Sequence, residues 1–132
     1  MKNITILIFV ISLISCGQGN TDFYVKTTTI EAKNGNKTES HQITKFEKEY
    51  FETDLYCLKN AITGYSAISN LEDIIKDGVY YLKKREVTNK QGDILEWNTP
   101  EAFINYMVSC GYELVKHERQ SEYKTHYLFK SR

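Results

Sequence analysis

A cysteine and a histidine, Cys110 and His117, could act together as a nucleophile and its general base. A thiolate attacks electrophilic carbon, and an imidazole within hydrogen-bond reach would take the thiol proton. The sequence predicts, however, that Cys110 ends a buried helical stripe and that His117 lies a full strand further along. Because burial raises a thiol pKa, this placement disfavours catalysis. A small hydrolase using Cys110 or His117 is therefore the alternative, and a non-enzymatic protein is favoured.

His117 and His126 lie on the two arms of a predicted C-terminal hairpin. A turn centred near Gln120 would place His117 opposite Lys124 and bring both imidazoles and Glu113 to one face. Imidazole and carboxylate groups are ligands for divalent metals. Because Lys124 would add a cation between the imidazoles, we predict a solvated sheet face that holds no metal and no cofactor.

Tyrosine is abundant, with 10 residues in the chain. Tyr80 and Tyr81 are adjacent in a predicted strand, so they face opposite sides of the sheet, and at least one points away from the helices. Exposed tyrosines suit binding surfaces because they supply contact area at a low cost in rotamer entropy. We predict a weak binding surface that includes Tyr80, Tyr81, Tyr112 and Tyr127, with core and edge filling as the alternative.

Cys57 and Cys110 form an even pair once the third cysteine, Cys16, is set aside. A disulfide between them would close a loop of about 50 residues and stabilise the fold by about 4 kcal/mol on the chain-entropy model. We keep this disulfide as a possibility and favour two buried thiols that pack as small apolar groups.

The N-terminus has the pattern of a processed leader. Lys2 precedes an apolar run from Ile4 to Ile14, which is about 11 residues and too short to span a bilayer. The run ends in Leu13-Ile14-Ser15-Cys16, which resembles the bacterial lipobox. The resemblance implies that residues 1–15 are a signal peptide, that cleavage occurs before Cys16, and that the Cys16 thiol carries the lipid.

The lipobox resemblance also implies a location in the bacterial cell envelope. Lipid chains on Cys16 would hold the protein in a membrane, with residues 16–22 as a tether and 23–132 as a single domain. Gly17, rather than Asp, follows the cysteine. In the sorting rule of some two-membrane bacteria, this favours the outer membrane, and we expect the periplasmic face.

Charge and motifs exclude several classes of function. The chain has 17 basic and 17 acidic residues, so its net charge does not favour nucleic acid, which typically needs a clustered basic surface. We interpret the only basic run, Lys83-Lys84-Arg85, as a solvated strand edge. The sequence contains neither Gly-x-Ser-x-Gly nor His-Glu-x-x-His nor a phosphate-binding glycine loop, which lowers the expectation of the common enzymes.

Periodicity predicts the elements of the first half. Residues rich in strand formers flank Asn34-Gly35, which predicts a hairpin of Phe23–Glu31 and Thr38–Phe46. Apolar residues at spacings of four, three and four then predict a helix over 47–63. A capping-box pattern, Ser69-Asn70-Leu71-Glu72, predicts a second, short helix that Gly78 ends.

The second half predicts a capped helix between strands. Thr99 has the character of an N-cap, Pro100 follows at the first helical position, and Gly111 ends the helix. This order predicts an α+β fold, a small antiparallel sheet with two or three helices packed on one face. The predicted strands around the helix are Val79–Val87, Ile94–Trp97, Tyr112–His117 and Tyr123–Lys130.

Residues Thr99–Arg132 resemble the C-terminal part of small bacterial proteins of unknown function. In those proteins a capped helix leads into Gly-Trp-Glu-Leu-Val and a hairpin ends in Phe-Lys-Arg. The counterparts here are Gly111-Tyr112-Glu113-Leu114-Val115 and Phe129-Lys130-Ser131-Arg132. Tyr112 replaces the usual Trp and Ser131 splits the basic pair. The resemblance implies a fold and no activity.

Together these patterns predict a membrane-anchored envelope lipoprotein that acts as a binding or interaction module. Its expected partners are the membrane, through the lipid on Cys16, and an envelope protein or glycan. Two alternatives stay open, namely the small envelope hydrolase and an immunity or inhibitor lipoprotein directed at one toxin or protease.

Overall fold

The computed structural model describes residues 21–57 and 64–132. Within these ranges the chain forms one antiparallel sheet of seven strands and one helix. The strand order across the sheet is β2-β1-β5-β4-β3-β7-β6. The elements are β1 Tyr24–Lys33, β2 Asn36–Lys45, β3 Tyr50–Cys57, β4 Tyr65–Lys76, β5 Val79–Thr88, α1 Pro100–Ser109, β6 Tyr112–Arg119 and β7 Lys124–Ser131.

Two tight turns define the long hairpins. Asn34 and Gly35 have φ of 52° and 79° and connect β1 to β2, which confirms the predicted turn. Asp77 and Gly78 have φ of 53° and 77° and connect β4 to β5 in the same way. Two consecutive positive φ values twist a two-residue turn to match the strands that it joins. Gly78 is therefore a hairpin residue, whereas the sequence predicted a helix end.

An aromatic core lies between the sheet and α1. Phe103 and Met107 of the helix are fully buried, as is Phe129 of β7. The Phe103 ring meets the rings of Phe129 and Tyr127 edge to face, with centroids 5.5 Å apart in both cases. Edge-to-face pairs add stability beyond the buried area. This core covers one end of the sheet.

The predicted α+β fold with two or three helices is wrong, because the described residues form a β-rich fold with one short helix. The predicted helix over 47–63 corresponds to strand β3, and residues 58–63 lie outside the described ranges. Phe51 and Leu55 are four residues apart, a spacing that also fits a strand because four is a multiple of two. Phe51, Thr53 and Leu55 are all buried on one face, as strand alternation requires.

The second predicted helix is also wrong. Ser69 and Glu72, read as a capping box, lie within strand β4. The Ser69 hydroxyl donates to the main-chain carbonyl of Glu52 at 2.8 Å, so it joins two strands and caps no helix. A register shift between Asn70 and Glu72 marks a bulge at this point. A bulge bends the strand, and β4 runs on to Lys76 beyond it.

The helix α1 was predicted correctly. The Thr99 side chain accepts a hydrogen bond from the Ala102 amide at 3.1 Å, and Pro100 is the first helical residue. The chain leaves the helix through Gly111, whose φ is 90°. Ile94–Trp97, predicted as a strand, instead forms isolated bridges from Ile94 to Thr88 and from Trp97 to Tyr65.

The helix α1 has ten residues, and no helix of the described ranges has the length and apolar character to cross a membrane.

Candidate functional site

The end of the β4–β5 hairpin carries an exposed apolar group that we call the hairpin end, comprising Ile74, Ile75, Tyr80 and Tyr81. Ile75 is 76% exposed and Ile74 is 44% exposed. Ile74 pairs with Tyr81 and Ile75 pairs with Tyr80, so each face of the hairpin carries one isoleucine and one tyrosine. Tyr80 and Tyr81 are half-buried and face opposite sides, as the alternation predicted.

Acidic residues outnumber basic ones in the part of β4 and the turn next to the hairpin end. Glu72, Asp73 and Asp77 lie in the same hairpin, with Lys76 as the one cation between Leu71 and Gly78, and every residue of that stretch is exposed. A hydrogen bond with Asp73 raises the pKa of the Tyr80 hydroxyl. The hairpin end is thus an apolar patch with a negative rim along β4 and the turn.

The hairpin end lies far from the point where the chain enters the sheet. β1 begins at Tyr24, which pairs with Thr88, and Tyr80 pairs with Ala32 at the other end of β1. Eight residues of strand at about 3.3 Å each separate these two points by roughly 26 Å. Cys16 and the predicted signal peptide lie outside the described residues, upstream of Tyr24.

A second cluster is formed by His126 of β7 with Glu52 and Asp54 of β3. The imidazole Nδ1 lies 2.7 Å from Asp54 Oδ1, and Nε2 lies 2.6 Å from Glu52 Oε2. Because Asp54 pairs directly with His126 in the sheet, strand register positions the first contact. Both carboxylates come from one strand, two residues apart, so they share its face.

The pKa of His126 is raised from its ordinary value. Burial alone would lower this pKa, since it disfavours the charged imidazole, but the hydrogen bonds with Asp54 and Glu52 outweigh it. Protonated, the imidazole donates from both nitrogens, one to each carboxylate. Within the described ranges, no group of three or more histidine, cysteine, aspartate or glutamate side chains is arranged to hold a metal ion.

The predicted pairing of His117 with Lys124 does not occur. A register shift between Leu114 and Lys116 changes the hairpin pairing, so His117 lies opposite Tyr127 and Glu118 lies opposite His126. The two histidines therefore lie on opposite faces. The His117 ring stacks on Tyr127 with centroids 6.1 Å apart.

Cys57 and Cys110 are free thiols in this structure. Burial raises the pKa of Cys110 to about 11, only partly offset by hydrogen bonds with Tyr106 and Ser109. Cys57 instead interacts with Tyr65. A thiol of such high pKa is a weak nucleophile at neutral pH, so this environment gives no support to a hydrolase that uses Cys110.

Tyr112 and Tyr127 are buried in the core and do not present a binding surface. The Tyr112 hydroxyl donates to the main-chain carbonyl of Lys48 at 2.5 Å. Of the four predicted binding tyrosines, the structure brings Tyr80 and Tyr81 together at the hairpin end and places the other two among the packed side chains.

The basic run Lys83-Lys84-Arg85 lies in β5, between β1 and β4, so it does not form the strand edge that the sequence predicted. Lys83 and Arg85 share the face that continues from the core, and Lys84 lies on the other face. Both Lys83 and Arg85 line a cavity of about 630 Å³ beside the β1–β2 hairpin. Sequence reasoning missed this cavity because it depends on which strands neighbour β5.

Sequence reasoning also missed Glu52 and Asp54. The sequence predicted both residues in a helix, and a helix prediction does not indicate a partner on another strand. In the structure that partner is His126, which is 72 residues from Asp54. One signal was available: Glu52 and Asp54 alternate with Phe51, Thr53 and Leu55, a polar and apolar alternation typical of strands.

No protein-family model, no curated protein and no solved structure matches this chain significantly. The similarity of Thr99–Arg132 to small bacterial proteins therefore stays a prediction.

Proposed function

We propose that the protein is a lipid-anchored envelope module, without enzymatic activity, that binds another envelope protein through the hairpin end. The observation that carries this proposal is the 76% exposure of Ile75 beside Tyr80, on a hairpin whose other face carries Ile74 and Tyr81. Exposure of two isoleucines to water is unfavourable. A partner that covers them would gain binding free energy from burying their apolar surface.

The anchor is supported by Leu13-Ile14-Ser15-Cys16 and by the apolar run before it. A tether from Cys16 would reach the sheet at Tyr24, about 26 Å along β1 from the level of Tyr80. In that arrangement the hairpin end projects away from the lipid. It is therefore proposed to meet a protein and not the bilayer that holds the anchor.

The chemistry of the partner follows from the rim. Glu72, Asp73 and Asp77 against Lys76 make the stretch from Leu71 to Gly78 net negative. Acidic groups disfavour an anionic lipid headgroup and favour basic side chains. The proposed partner offers an apolar pocket for Ile75 surrounded by lysine or arginine residues.

The anchor is tested by metabolic labelling with a clickable fatty acid. The wild-type chain is expected to carry the label and to fractionate with membranes, whereas Cys16→Ser removes the label and leaves the precursor uncut. Cys57→Ser is the matched control and should label like the wild type. Labelling that persists in Cys16→Ser would disprove the anchor.

The binding surface is tested by co-purification of a tagged full chain from detergent-solubilised envelopes. Ile75→Asn should reduce recovery of its specific partner at least tenfold, which corresponds to a loss of about 1.4 kcal/mol. Val115→Asn is the control, because Val115 is 53% exposed on the edge strand β6 and far from the hairpin end in the strand order. Equal recovery with both variants would overturn the proposed surface.

A further inference from the structure

Arg85 carries a positive charge that no carboxylate of the described residues neutralises. Its guanidinium carbon lies 5.0 Å from the centroid of the Phe46 ring and 5.3 Å from that of Phe51. Its Nε atom is buried and has no hydrogen-bond partner within the described part of the chain. Burial lowers the pKa of Arg85, and no nearby acid opposes that effect. A buried, unpaired polar group is costly, so its position calls for a function.

Two carboxylates that line a cavity together with Arg85 are already engaged by another residue. Glu52 and Asp54 line a cavity of about 280 Å³ that Arg85 also lines. Both carboxylates, however, are hydrogen bonded to His126 at 2.6 and 2.7 Å. Because Glu52 and Asp54 bind His126, the guanidinium of Arg85 can bind a different anion.

The larger cavity of about 630 Å³ presents polar groups in two rows across three strands. In one row Gln42 of β2 pairs with Thr27 of β1, and Thr27 pairs with Arg85 of β5. In the next row Ser40 pairs with Thr29, and Thr29 pairs with Lys83. Each row therefore runs from a neutral polar group through a hydroxyl to a cation. Residues two apart in a strand place these rows about 6.8 Å apart.

The charge around the cavity is positive. Lys45, Lys48, Lys83 and Arg85 line it with Glu47 as the one acidic residue among its lining side chains. Lys45 is occupied by Asp22 at 3.3 Å and by Glu47 at 4.0 Å. Among the described residues, no ion pair engages the other three cations. Hydroxyl and amide groups beside unneutralised cations match a molecule that carries both hydroxyls and a negative charge.

We infer that this cavity is a binding site for an anionic saccharide, with its acidic group on Arg85 and Lys83 and its hydroxyls on Thr27, Thr29 and Ser40. A guanidinium presents paired N–H donors that suit a carboxylate or phosphate group. The hydroxyls of the β1–β2 hairpin donate to and accept from sugar hydroxyls. This site lies on β1, β2 and β5 and is independent of the protein-binding role of the hairpin end.

The test is calorimetric titration of the full chain in non-ionic detergent with a glucuronic acid-containing tetrasaccharide. A neutral N-acetylglucosamine tetrasaccharide and inorganic phosphate are the comparison probes. The acidic tetrasaccharide should bind, and Arg85→Gln should weaken binding at least tenfold, because a charge-assisted hydrogen bond is lost. Lys90→Gln, a change in an exposed turn outside the cavity, is the matched control and should bind like the wild type.

Lys83→Gln keeps the result interpretable if Arg85→Gln disturbs the stack on Phe46 and Phe51. It leaves that stack in place and should weaken binding of the acidic tetrasaccharide, as should Thr29→Val. Equal binding of the neutral tetrasaccharide would overturn the role of Arg85. Equal binding of inorganic phosphate would overturn the role of the hydroxyl rows, since phosphate alone would then account for the affinity. Binding unchanged in Arg85→Gln and Lys83→Gln would overturn the site.

Discussion

The imidazole Nδ1 of His126 lies 2.7 Å from Oδ1 of Asp54, across the β3–β7 pair of the sheet. On its other side the same ring meets Glu52 at 2.6 Å. Two carboxylates on one imidazole stabilise its protonated form, since each accepts a charge-assisted hydrogen bond. The cluster therefore makes the stability of the β3–β7 pairing depend on pH.

His126→Gln is expected to destabilise the protein at mildly acidic pH and to matter less at alkaline pH. The pKa of His126 is raised in the folded state, so its contribution is fully present below the unfolded pKa of about 6.5 and is lost as pH rises through the folded pKa. Denaturant unfolding of wild type and His126→Gln across this range checks the prediction, together with an NMR titration of the imidazole. A difference in unfolding free energy that does not change with pH, or a His126 pKa at or below 6.5, would contradict it.

Phe103→Ala is expected to destabilise the fold by about 3–5 kcal/mol, because a fully buried aromatic side chain leaves a cavity. The Phe103 ring contacts those of Trp97, Tyr127 and Phe129, so the loss affects the helix and β7 together. Val115→Ala, at an exposed position of β6, should change stability by less than about 0.5 kcal/mol. Denaturant unfolding measures the unfolding free energy of both variants. If Phe103→Ala lowered it as little as Val115→Ala does, α1 would not contribute to the core as described.

Gly92→Ala is expected to destabilise more than Gly35→Ala. Both glycines have positive φ, 92° and 79°, so alanine is strained by about 1–2 kcal/mol at either position. A β-carbon at Gly92 would also collide with the Cδ1 atom of Ile43, whereas none of the described atoms lies near one at Gly35. Thermal unfolding of the two variants compares them. Equal losses would mean that Ile43 moves aside without cost.

Cys110 is expected to react slowly with thiol reagents in the native protein at pH 7, since burial raises its pKa to about 11 and little thiolate is present. Denaturation should remove this protection. Mass spectrometry after timed alkylation of Cys57→Ser follows Cys110 without interference from Cys57. Rapid native labelling would contradict the burial of Cys110, and a wild-type chain that fails to label after denaturation without reductant would reveal a disulfide between Cys57 and Cys110.

The features that sequence predicts well here are local. The Asn34-Gly35 turn and the Thr99 cap depend on residues within four positions of each other, so the pattern and the structure agree. Tyr80 and Tyr81 were also assigned to opposite faces correctly, because alternation within a strand needs no knowledge of its neighbours.

The errors arise where local patterns are ambiguous or where function depends on strand order. Phe51 and Leu55 fit a helix and a strand equally well, and the sheet position of β3 between β4 and β7 decides in favour of the strand. Ser69 has the spacing of a helix cap but bonds to Glu52, 17 residues away. The guanidinium of Arg85 lies over the rings of Phe46 and Phe51, and these contacts depend on strand order, which local sequence does not reveal.

The most direct test of the proposed interaction is photo-crosslinking in intact envelopes from a photo-reactive phenylalanine at position 75, compared with the same residue at position 115. We expect one product at position 75, absent at position 115 and lost with Tyr80→Ala, because Tyr80 pairs with Ile75 on the same face. Its partner should have a basic-rimmed apolar surface and, once purified, should bind the purified chain directly. A product at both positions, a product with twice the mass of this chain, or none at position 75 would contradict the claim that the hairpin end binds another envelope protein.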